Sequence, residues 1–156
     1  MTGNDFTKSL ISEVERQLKD ISFIGTDGKL KKIKGYPQEL PLSSVHAGWE
    51  TEGEPKSEEE LFPYFLVQIS EIMYEEEEAK AKVWILLALY DDRQQMTGWE
   101  NINNAVERLT ARFRTNPVLS EYYYCDRTMK AAYPDEGDWP HFFAGLEMTW
   151  HLPIME

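Results

Sequence analysis

Few residues in this chain have types and spacing suited to chemistry, and the clearest pair is Asp91 and Asp92. They follow the apolar run "VWILLALY", and enzymes often place carboxylates where a strand ends. The simpler interpretation is that the two aspartates end a buried strand and solvate the turn after it, because aspartate is disfavoured in strands and common in turns. We favour this simpler interpretation.

A second pattern is the triplet Glu78-Ala79-Lys80, which has the Glu-x-Lys form used by one group of two-metal nucleases. A Pro-Asp pair is also present, at Pro134-Asp135. In that group the Pro-Asp pair precedes the triplet, whereas here it follows. The triplet also lies in a run of charges, where such combinations arise easily. The order of the motifs therefore argues against a nuclease.

The histidines and the cysteine do not form a recognisable site either. His46, His141 and His151 have no partner at the three- or four-residue spacing of many zinc sites. Cys125 follows three tyrosines and has no basic neighbour in sequence to lower its pKa, which favours a packed thiol over a nucleophile. The sequence contains neither Gly-x-Ser-x-Gly nor a Walker-type loop. We therefore predict no enzyme activity, no metal and no cofactor.

The composition is that of a folded, acidic protein. The chain has 156 residues, 42% of them hydrophobic, which is enough for one domain with a core. Its 28 acidic and 16 basic residues give a net charge of −12, which disfavours a free-standing nucleic-acid binder and adhesion to anionic membranes. The longest apolar run is eight residues, short of the roughly 20 that a membrane-spanning helix needs. No signal-peptide pattern is visible, so we expect a protein made in a cytoplasm.

The elements that must position these residues begin with an N-terminal region, residues 1–35. Apolar residues at spacings of three and four from Asp5 to about Ile21 predict an amphipathic helix. Asp27-Gly28 between two β-prone runs predicts a hairpin, because this pair accommodates the positive φ of a tight turn. Residues 36–60 show no period, so we interpret them as a long loop that is either functional or disordered.

The remainder of the chain, residues 61–156, is predicted to form the core sheet and a second helix. Strands are expected at 61–75 and 80–92, joined by a solvated acidic turn at Glu75–Glu78. Apolar spacing predicts a helix from about Glu100 to Arg114, after Gly98-Trp99 and before Asn116-Pro117. Two more strands are expected at 121–133 and 141–154.

This order of elements predicts an α+β fold in which a mostly antiparallel sheet packs against two main helices. We see no internal repeat and treat residues 1–156 as a single domain. The strand "VWILLALY" does not alternate, and Tyr122, Tyr123 and Tyr124 must point to both sides of a sheet. Strands that are apolar on both faces need cover on both. One helix layer can cover one face, and the other needs the second helix or another subunit; we favour a subunit interface.

From about Phe62 to Ile154 the chain resembles the tail terminator proteins of long-tailed bacteriophages and prophages, which are also called tail completion or minor tail proteins. The resemblance is carried by "FPYFLVQ", "KVWILLALYDD", "TGWENINNAVERLTARFRTNPVL" and "WPHFFAGLEMTWHLPIM", in that order. In that family a Pro-aromatic strand is similarly followed by a long strand ending in acids, a Gly-aromatic helix, and a last strand with a central tryptophan. The joint order is more specific than any one motif.

The resemblance implies an assembly protein without catalytic residues or cofactors. Family members form a ring, usually a hexamer, that caps the tail tube, stops its polymerisation and provides the surface that joins the tail to the head. The implied partners are further copies of the chain, the tail-tube protein and a head-completion or stopper protein. DNA only passes through the ring, and an anionic bore would not grip it. The implied location is the virion tail, assembled in the cytoplasm of the bacterial host.

The family has no motif that marks its contact residues, so candidates are chosen by type and place. The acidic residues Glu75, Glu76, Glu77 and Glu78 are candidates for a ring face or bore, with a merely solubilising turn as the alternative. His46, Trp49 and Glu50 in the long loop are candidates for contact with the tube or a neighbour, and Tyr122 and Tyr124 complete the set. Two other functions stay open: a head–tail connector or stopper subunit, and a cytoplasmic interaction module unrelated to phages.

Overall fold

Long antiparallel strands organise the structure. The computed structural model describes residues 3–41, 57–93, 95–135 and 137–154. Its helices are α1 (Gly3–Leu18), α2 (Glu58–Leu61) and α3 (Gln95–Thr115). Its strands are β1 (Phe23–Ile24), β2 (Leu30–Lys31), β3 (Lys34–Pro37), β4 (Tyr64–Tyr74), β5 (Glu78–Tyr90), β6 (Val118–Leu119), β7 (Tyr123–Cys125), β8 (Lys130–Ala132) and β9 (His141–Pro153).

The centre of the sheet is formed by β4, β5 and β9, paired antiparallel along most of their length. β3 runs parallel to the first residues of β4, and the β1–β2 hairpin joins the far end of β5 at Tyr90. β7 and β8 pair with the other side of β9. The predicted α+β fold, with a mostly antiparallel sheet and two main helices, is confirmed.

One face of this sheet packs against α1 and α3 and forms the main core. Because side chains alternate along a strand, the odd-numbered residues of β5, including Val83, Ile85 and Leu87, all point to this face and are buried. α1 buries Phe6 and Leu10 against them. Full burial of such a side chain stabilises the fold by about 1.5–3 kcal/mol, so this face holds both helices on the sheet.

A buried carboxylate ties the two helices together. Glu13 of α1 accepts hydrogen bonds from Arg16 Nε at 2.6 Å and from Arg112 Nε of α3 at 2.6 Å. Burial alone would raise the pKa of Glu13, but the two guanidinium groups outweigh it and hold the pKa below its usual value. Arg112 also donates to the carbonyls of Asn116 and Val118, which fixes the end of α3.

Helix α3 begins earlier than the sequence indicated. The predicted start near Glu100, with Gly98-Trp99 before it, was wrong, because the helix spans Gln95–Thr115 and contains both residues. Glycine inside a helix is unfavourable by about 1 kcal/mol relative to alanine. Here it is needed, because a Cβ at Gly98 would lie 2.1 Å from the Phe142 ring. Close packing against β9 therefore requires glycine at position 98. The predicted end of the helix before Asn116-Pro117 is confirmed.

The strand predicted at 121–133 is two short strands instead. β7 and β8 lie in line along β9, with Cys125 opposite Trp150 and Lys130 opposite Glu147. Four residues of this chain lie between Cys125 and Lys130, against two between Trp150 and Glu147. The extra residues interrupt the ladder, a feature that residue types alone do not show.

The remaining predictions differ mainly at their ends. α1 is confirmed but stops at Leu18 rather than about Ile21, whose N–H bonds back to the Leu18 carbonyl. The Asp27-Gly28 hairpin is confirmed, with Gly28 at φ +81°. Within residues 36–60, β3 reaches Pro37 and α2 begins at Glu58. No helix in the described residues is long and apolar enough to cross a membrane.

Candidate interaction surface

The face of the sheet opposite α1 and α3 is the candidate functional surface, and we call it the open face. It comprises the even-numbered side chains of β5 and the residues of β4 and β9 that stand opposite them in register. Its apolar part contains Leu66 of β4, Trp84 and Leu86 of β5, and Phe143 of β9, all only half-buried. These large apolar side chains are therefore partly in contact with water.

One end of the open face is covered by the short helix α2 and its surroundings. Leu40, Leu61 and Phe62 pack there on Tyr64 and Ala88 in a small second core. Within the described ranges, neither of the two long helices contributes to this cluster. Residues of the long loop region therefore cover the open face at the end of β5 near Tyr90.

Beyond that cover the open face contains an apolar depression of about 370 Å³. Trp84 lies across β9 at Gly145, where an added Cβ would come within 3.0 Å of the indole. The glycine therefore lets the indole pack closely on the neighbouring strand. The depression is lined by Leu66, Trp84, Leu86, Ala132, Tyr133, Pro134, Phe143 and Gly145, among others. Contiguous exposed apolar surface of this kind is typical of protein–protein contact sites.

The other half of the open face is polar. Lys80 pairs with Glu75 at 3.3 Å, and Lys82 pairs with Glu71 at 3.4 Å. Hydrogen bonding to Glu75 raises the pKa of Lys80 above its usual value. These pairs are well exposed, so each adds little stability, and their main effect is to set the charge pattern beside the apolar depression.

The acidic run divides between a turn and a strand. Glu75, Glu76 and Glu77 are exposed in the turn between β4 and β5, as predicted. Glu78 is the first residue of β5, and its carbonyl accepts a hydrogen bond from the Glu75 N–H at 2.8 Å. We call residues 75–77 the acidic turn. The four glutamates are therefore not equivalent, because Glu78 is half-buried and has side-chain partners.

The partners of Glu78 are a histidine and a tyrosine. Its carboxylate lies 3.1 Å from Nδ1 of His151 and accepts a hydrogen bond from the Tyr124 hydroxyl at 3.2 Å. The other imidazole nitrogen, Nε2, lies 2.7 Å from Asp126. The structure therefore brings two predicted contact residues, Glu78 and Tyr124, to one place, and adds two that sequence reasoning missed.

Electrostatics at this cluster favour a charged imidazole. Burial opposes the charge on His151, but hydrogen bonds to Asp126 and Glu78 outweigh it and raise the pKa of His151 above its usual value. The hydrogen bond to His151 is the main reason that the pKa of Glu78 lies below its usual value. The charges therefore stabilise one another around a buried ring.

The three consecutive tyrosines take different environments. Tyr123 is buried in the core, with its ring 5.3 Å from that of Phe6. Tyr122 and Tyr124 are exposed. Tyr124 stacks on His151, while Tyr122 stands apart from that cluster in the described contacts. The expectation that the tyrosines point to both sides of the sheet is confirmed for Tyr123 and Tyr124, whose partners lie on opposite faces.

Three further candidates, His46, Trp49 and Glu50, lie outside the described residues. His141, the remaining histidine, pairs with Glu59 at 3.1 Å near α2.

A second apolar groove, of about 530 Å³, lies where α3 begins. The exposed side chains of Met96, Trp99 and Trp139 line it, together with Phe142. Trp99 packs against Tyr133, with ring centroids 5.0 Å apart. This groove adjoins the apolar depression through Phe143 and Pro134, which line both.

The residues considered for catalysis have structural partners. Asp91 is buried and accepts hydrogen bonds from both Arg93 Nε and Arg93 Nη2, at 3.1 and 2.8 Å. Burial raises the pKa of the Cys125 thiol to about 11, which keeps it protonated. Among the described residues, no group of three histidine, cysteine or carboxylate side chains is placed to hold a metal ion. The carboxylates beside His151 approach opposite ring nitrogens and do not converge.

Comparisons with known proteins bear on the fold alone. No protein family and no curated protein matches the sequence. Among solved structures, 26 chains match. One aligns over 100% of this chain and 99% of its own, with a TM-score of 0.52 and 9% sequence identity. At such low identity the likeness shows a shared architecture across the whole chain.

Proposed function

We propose that this protein is a tail terminator of a long-tailed bacteriophage or prophage, which assembles as a ring on the end of the tail tube. The observation that carries the proposal is the open face, where Leu66, Trp84 and Leu86 remain half-buried on the central strands. Apolar residues at the centre of a sheet need cover. A neighbouring protein supplies it.

The sequence motifs that resemble those of tail terminator proteins support this proposed function. "FPYFLVQ" spans the start of β4, "KVWILLALYDD" lies in β5 and just after it, and "WPHFFAGLEMTWHLPIM" contains β9. Three of the motifs therefore lie in the three central strands. The fourth motif contains Gly98 and Trp99, which lie near the start of α3. A ring also needs two different patches on each subunit, because cyclic contacts are heterologous. On this proposal the open face supplies one patch, and the second apolar groove, which adjoins it at Pro134 and Phe143, extends that patch rather than supplying the opposite one.

Assembly with purified tail tubes tests the proposal directly. We expect the wild-type protein to form rings at tube ends in negative-stain images, and to stop further addition of tube subunits. Leu86→Gln on the open face should abolish both, because a buried amide without partners disfavours the contact. Ala111→Gln on the exposed side of α3 is the matched control and should cap tubes normally.

Other outcomes would overturn the proposal. A protein that stays monomeric by light scattering over a concentration series and in every mixture with tube protein is not a terminator. Binding to a portal-side adaptor instead of the tube would identify a connector or stopper subunit. Charge reversal of Glu75, Glu76 and Glu77 to lysine separates the role of the acidic turn: normal tail length and head joining would show that the turn has no part in assembly.

A further inference from the structure

The second apolar groove, at the start of α3, is lined by large side chains that water reaches. Trp99, Trp139 and Met96 all line it, and all three are exposed. Its volume of about 530 Å³ is enough to admit an apolar side chain from another molecule. Tryptophan and methionine are enriched in protein–protein interfaces relative to the rest of the surface. The groove therefore has the composition of a docking site.

Contacts within the chain hold the walls of this groove in place. The Trp99 ring packs on that of Tyr133, with centroids 5.0 Å apart, and the Tyr133 hydroxyl donates to Asn103 Oδ1 at 2.7 Å. Gly98 also lets α3 approach Phe142, another lining residue. A site whose side chains are already ordered loses less conformational entropy when a partner binds. The groove is therefore preorganised for binding.

Carboxylates flank the part of the groove that is formed by β9 and the segment before it. Asp138 lines the groove, and Asp135 follows Pro134, which also lines it; both aspartates are exposed. Glu59 lies 3.1 Å from Nε2 of His141, a further lining residue. We call Asp135, Asp138 and Glu59 the acidic rim. Even with His141 protonated, the rim keeps a net negative charge.

Among the described residues, two positive groups lie near the same end of α3, and they do not cancel the acidic rim. Arg93 donates through Nε and Nη2 to Asp91, at 3.1 and 2.8 Å, so its charge is largely neutralised. The N-terminal turn of α3 carries a partial positive charge, equivalent to about half an elementary charge. The field at the groove therefore favours a cationic partner.

We propose that this groove docks a basic segment of another protein. An apolar side chain of that segment enters the groove beside Trp99 and Trp139, and its lysine or arginine residues meet the acidic rim. Cations also bind favourably to the faces of exposed indoles, so one segment satisfies both features of the site. The inference rests on the proposed function and deepens it, because it states the chemistry that a partner of the tail terminator presents at this groove.

A second copy of this chain fits this groove poorly. Each copy carries a net charge of −12. The chain does have a lysine-rich hairpin around β2, with Leu30 exposed. However, Lys31 Nζ of that hairpin donates to the Glu60 carbonyl at 3.0 Å, so the glutamates of α2 accompany the lysines. In a contact between copies those glutamates would meet the acidic rim, and like charges across an interface are costly.

Two model peptides, added to the intact chain, test the inference. One is a short amphipathic peptide of leucine and lysine, and the other has glutamate in place of every lysine. We expect the lysine peptide to shift the indole N–H signals of Trp99 and Trp139 in ¹⁵N spectra. It should bind at least about tenfold more tightly than the glutamate peptide, because the latter places like charges together. Its binding should weaken as salt is added.

Paired variants test where the required charge lies. Asp135→Asn combined with Asp138→Asn should remove most of the preference for the lysine peptide. Glu76→Gln combined with Glu77→Gln is the matched control, because it removes the same charge from the acidic turn, at the end of β5 opposite the groove. This control should leave binding unchanged. Met96→Gln, at an exposed position in the groove, should weaken binding because it removes apolar contact.

Equal binding of both peptides, shifts confined to residues outside the groove, or equal weakening by the two double variants would overturn the inference. Concentration-dependent shifts of the same indole signals without peptide would also overturn it, because a second copy would then be the occupant. Tube capping without peptide binding would refute the docking site and leave the proposed function standing. Peptide binding without tube capping would support the docking site and count against a tail terminator.

Discussion

Tyr124 lies flat on the imidazole of His151, with ring centroids 4.3 Å apart and planes inclined by 5°, and its hydroxyl donates to Glu78. The three side chains come from β7, β9 and β5, so the contact joins strands that are far apart in sequence. It lies at the polar end of the open face, next to the acidic turn.

Stability should fall as pH rises through the titration of His151. The pKa of His151 is raised in the folded state, so the stabilisation it provides is complete below the ordinary value of about 6.5 and is lost as the pH rises through the higher pKa of the folded state. Urea unfolding followed by tryptophan fluorescence at several pH values would measure this slope. His151→Gln should flatten it, and a variant curve parallel to wild type would contradict the assignment.

Gly98→Ala should destabilise the protein although alanine is the better helix former. The new Cβ would lie 2.1 Å from the Phe142 ring, and such overpacking costs about 1–3 kcal/mol. Chemical denaturation measures the loss. Asn104→Ala, at an exposed position of the same helix, is the control and should change stability by no more than about 0.5 kcal/mol. Equal effects in the two variants would rule out the close contact.

Arg112 and Arg16 bind the same carboxylate but should differ in importance. The Arg112 side chain is 14% exposed and that of Arg16 is 61% exposed. Arg112→Met leaves Glu13 and the carbonyls of Asn116 and Val118 short of donors, so we expect a loss of about 2–4 kcal/mol. Arg16→Met should cost clearly less, because solvent screens an exposed ion pair. Comparison of the two unfolding free energies would decide, and equal losses would show that solvent screens both pairs alike.

Leu86 and Leu87 are neighbours on β5 with opposite roles. Leu87→Ala removes a buried core side chain and should cost about 2–5 kcal/mol. Leu86 is half-buried on the open face, so Leu86→Ala should cost less in the monomer but weaken any association through that face. Unfolding of dilute protein and light scattering at high concentration separate the two effects. Similar stability losses at both positions would mean that the open face is covered within the chain.

Cys125 should react slowly with thiol reagents. Its side chain is buried, and the pKa of the thiol is raised to about 11, so little thiolate is present near pH 8. Labelling with a chromogenic disulfide reagent should be at least tenfold slower in the native protein than in urea. Fast native labelling would show that the core around β7 opens readily.

The prediction that the central strand is apolar on both faces was made from "VWILLALY". The structure bears out that pattern, because Val83, Ile85 and Leu87 face the helices while Trp84 and Leu86 face away from them. The cover near Tyr64 by α2 and Leu40 was not foreseen, since residues 36–60 show no period. The hydrogen-bonded cluster around His151 could not be foreseen either, because Glu78 and His151 are 73 residues apart.

By itself the sequence determined the classes and approximate limits of the main elements. Periodic burial and local turn chemistry act over a few residues, so α1, the Asp27-Gly28 hairpin, β4, β5 and β9 could be located from short windows. The tertiary structure decided what depends on contacts between distant segments: Gly98 inside α3 against Phe142, the break between β7 and β8, and the charge on His151. Those features arise from packing and electrostatics across β9, which no local pattern encodes.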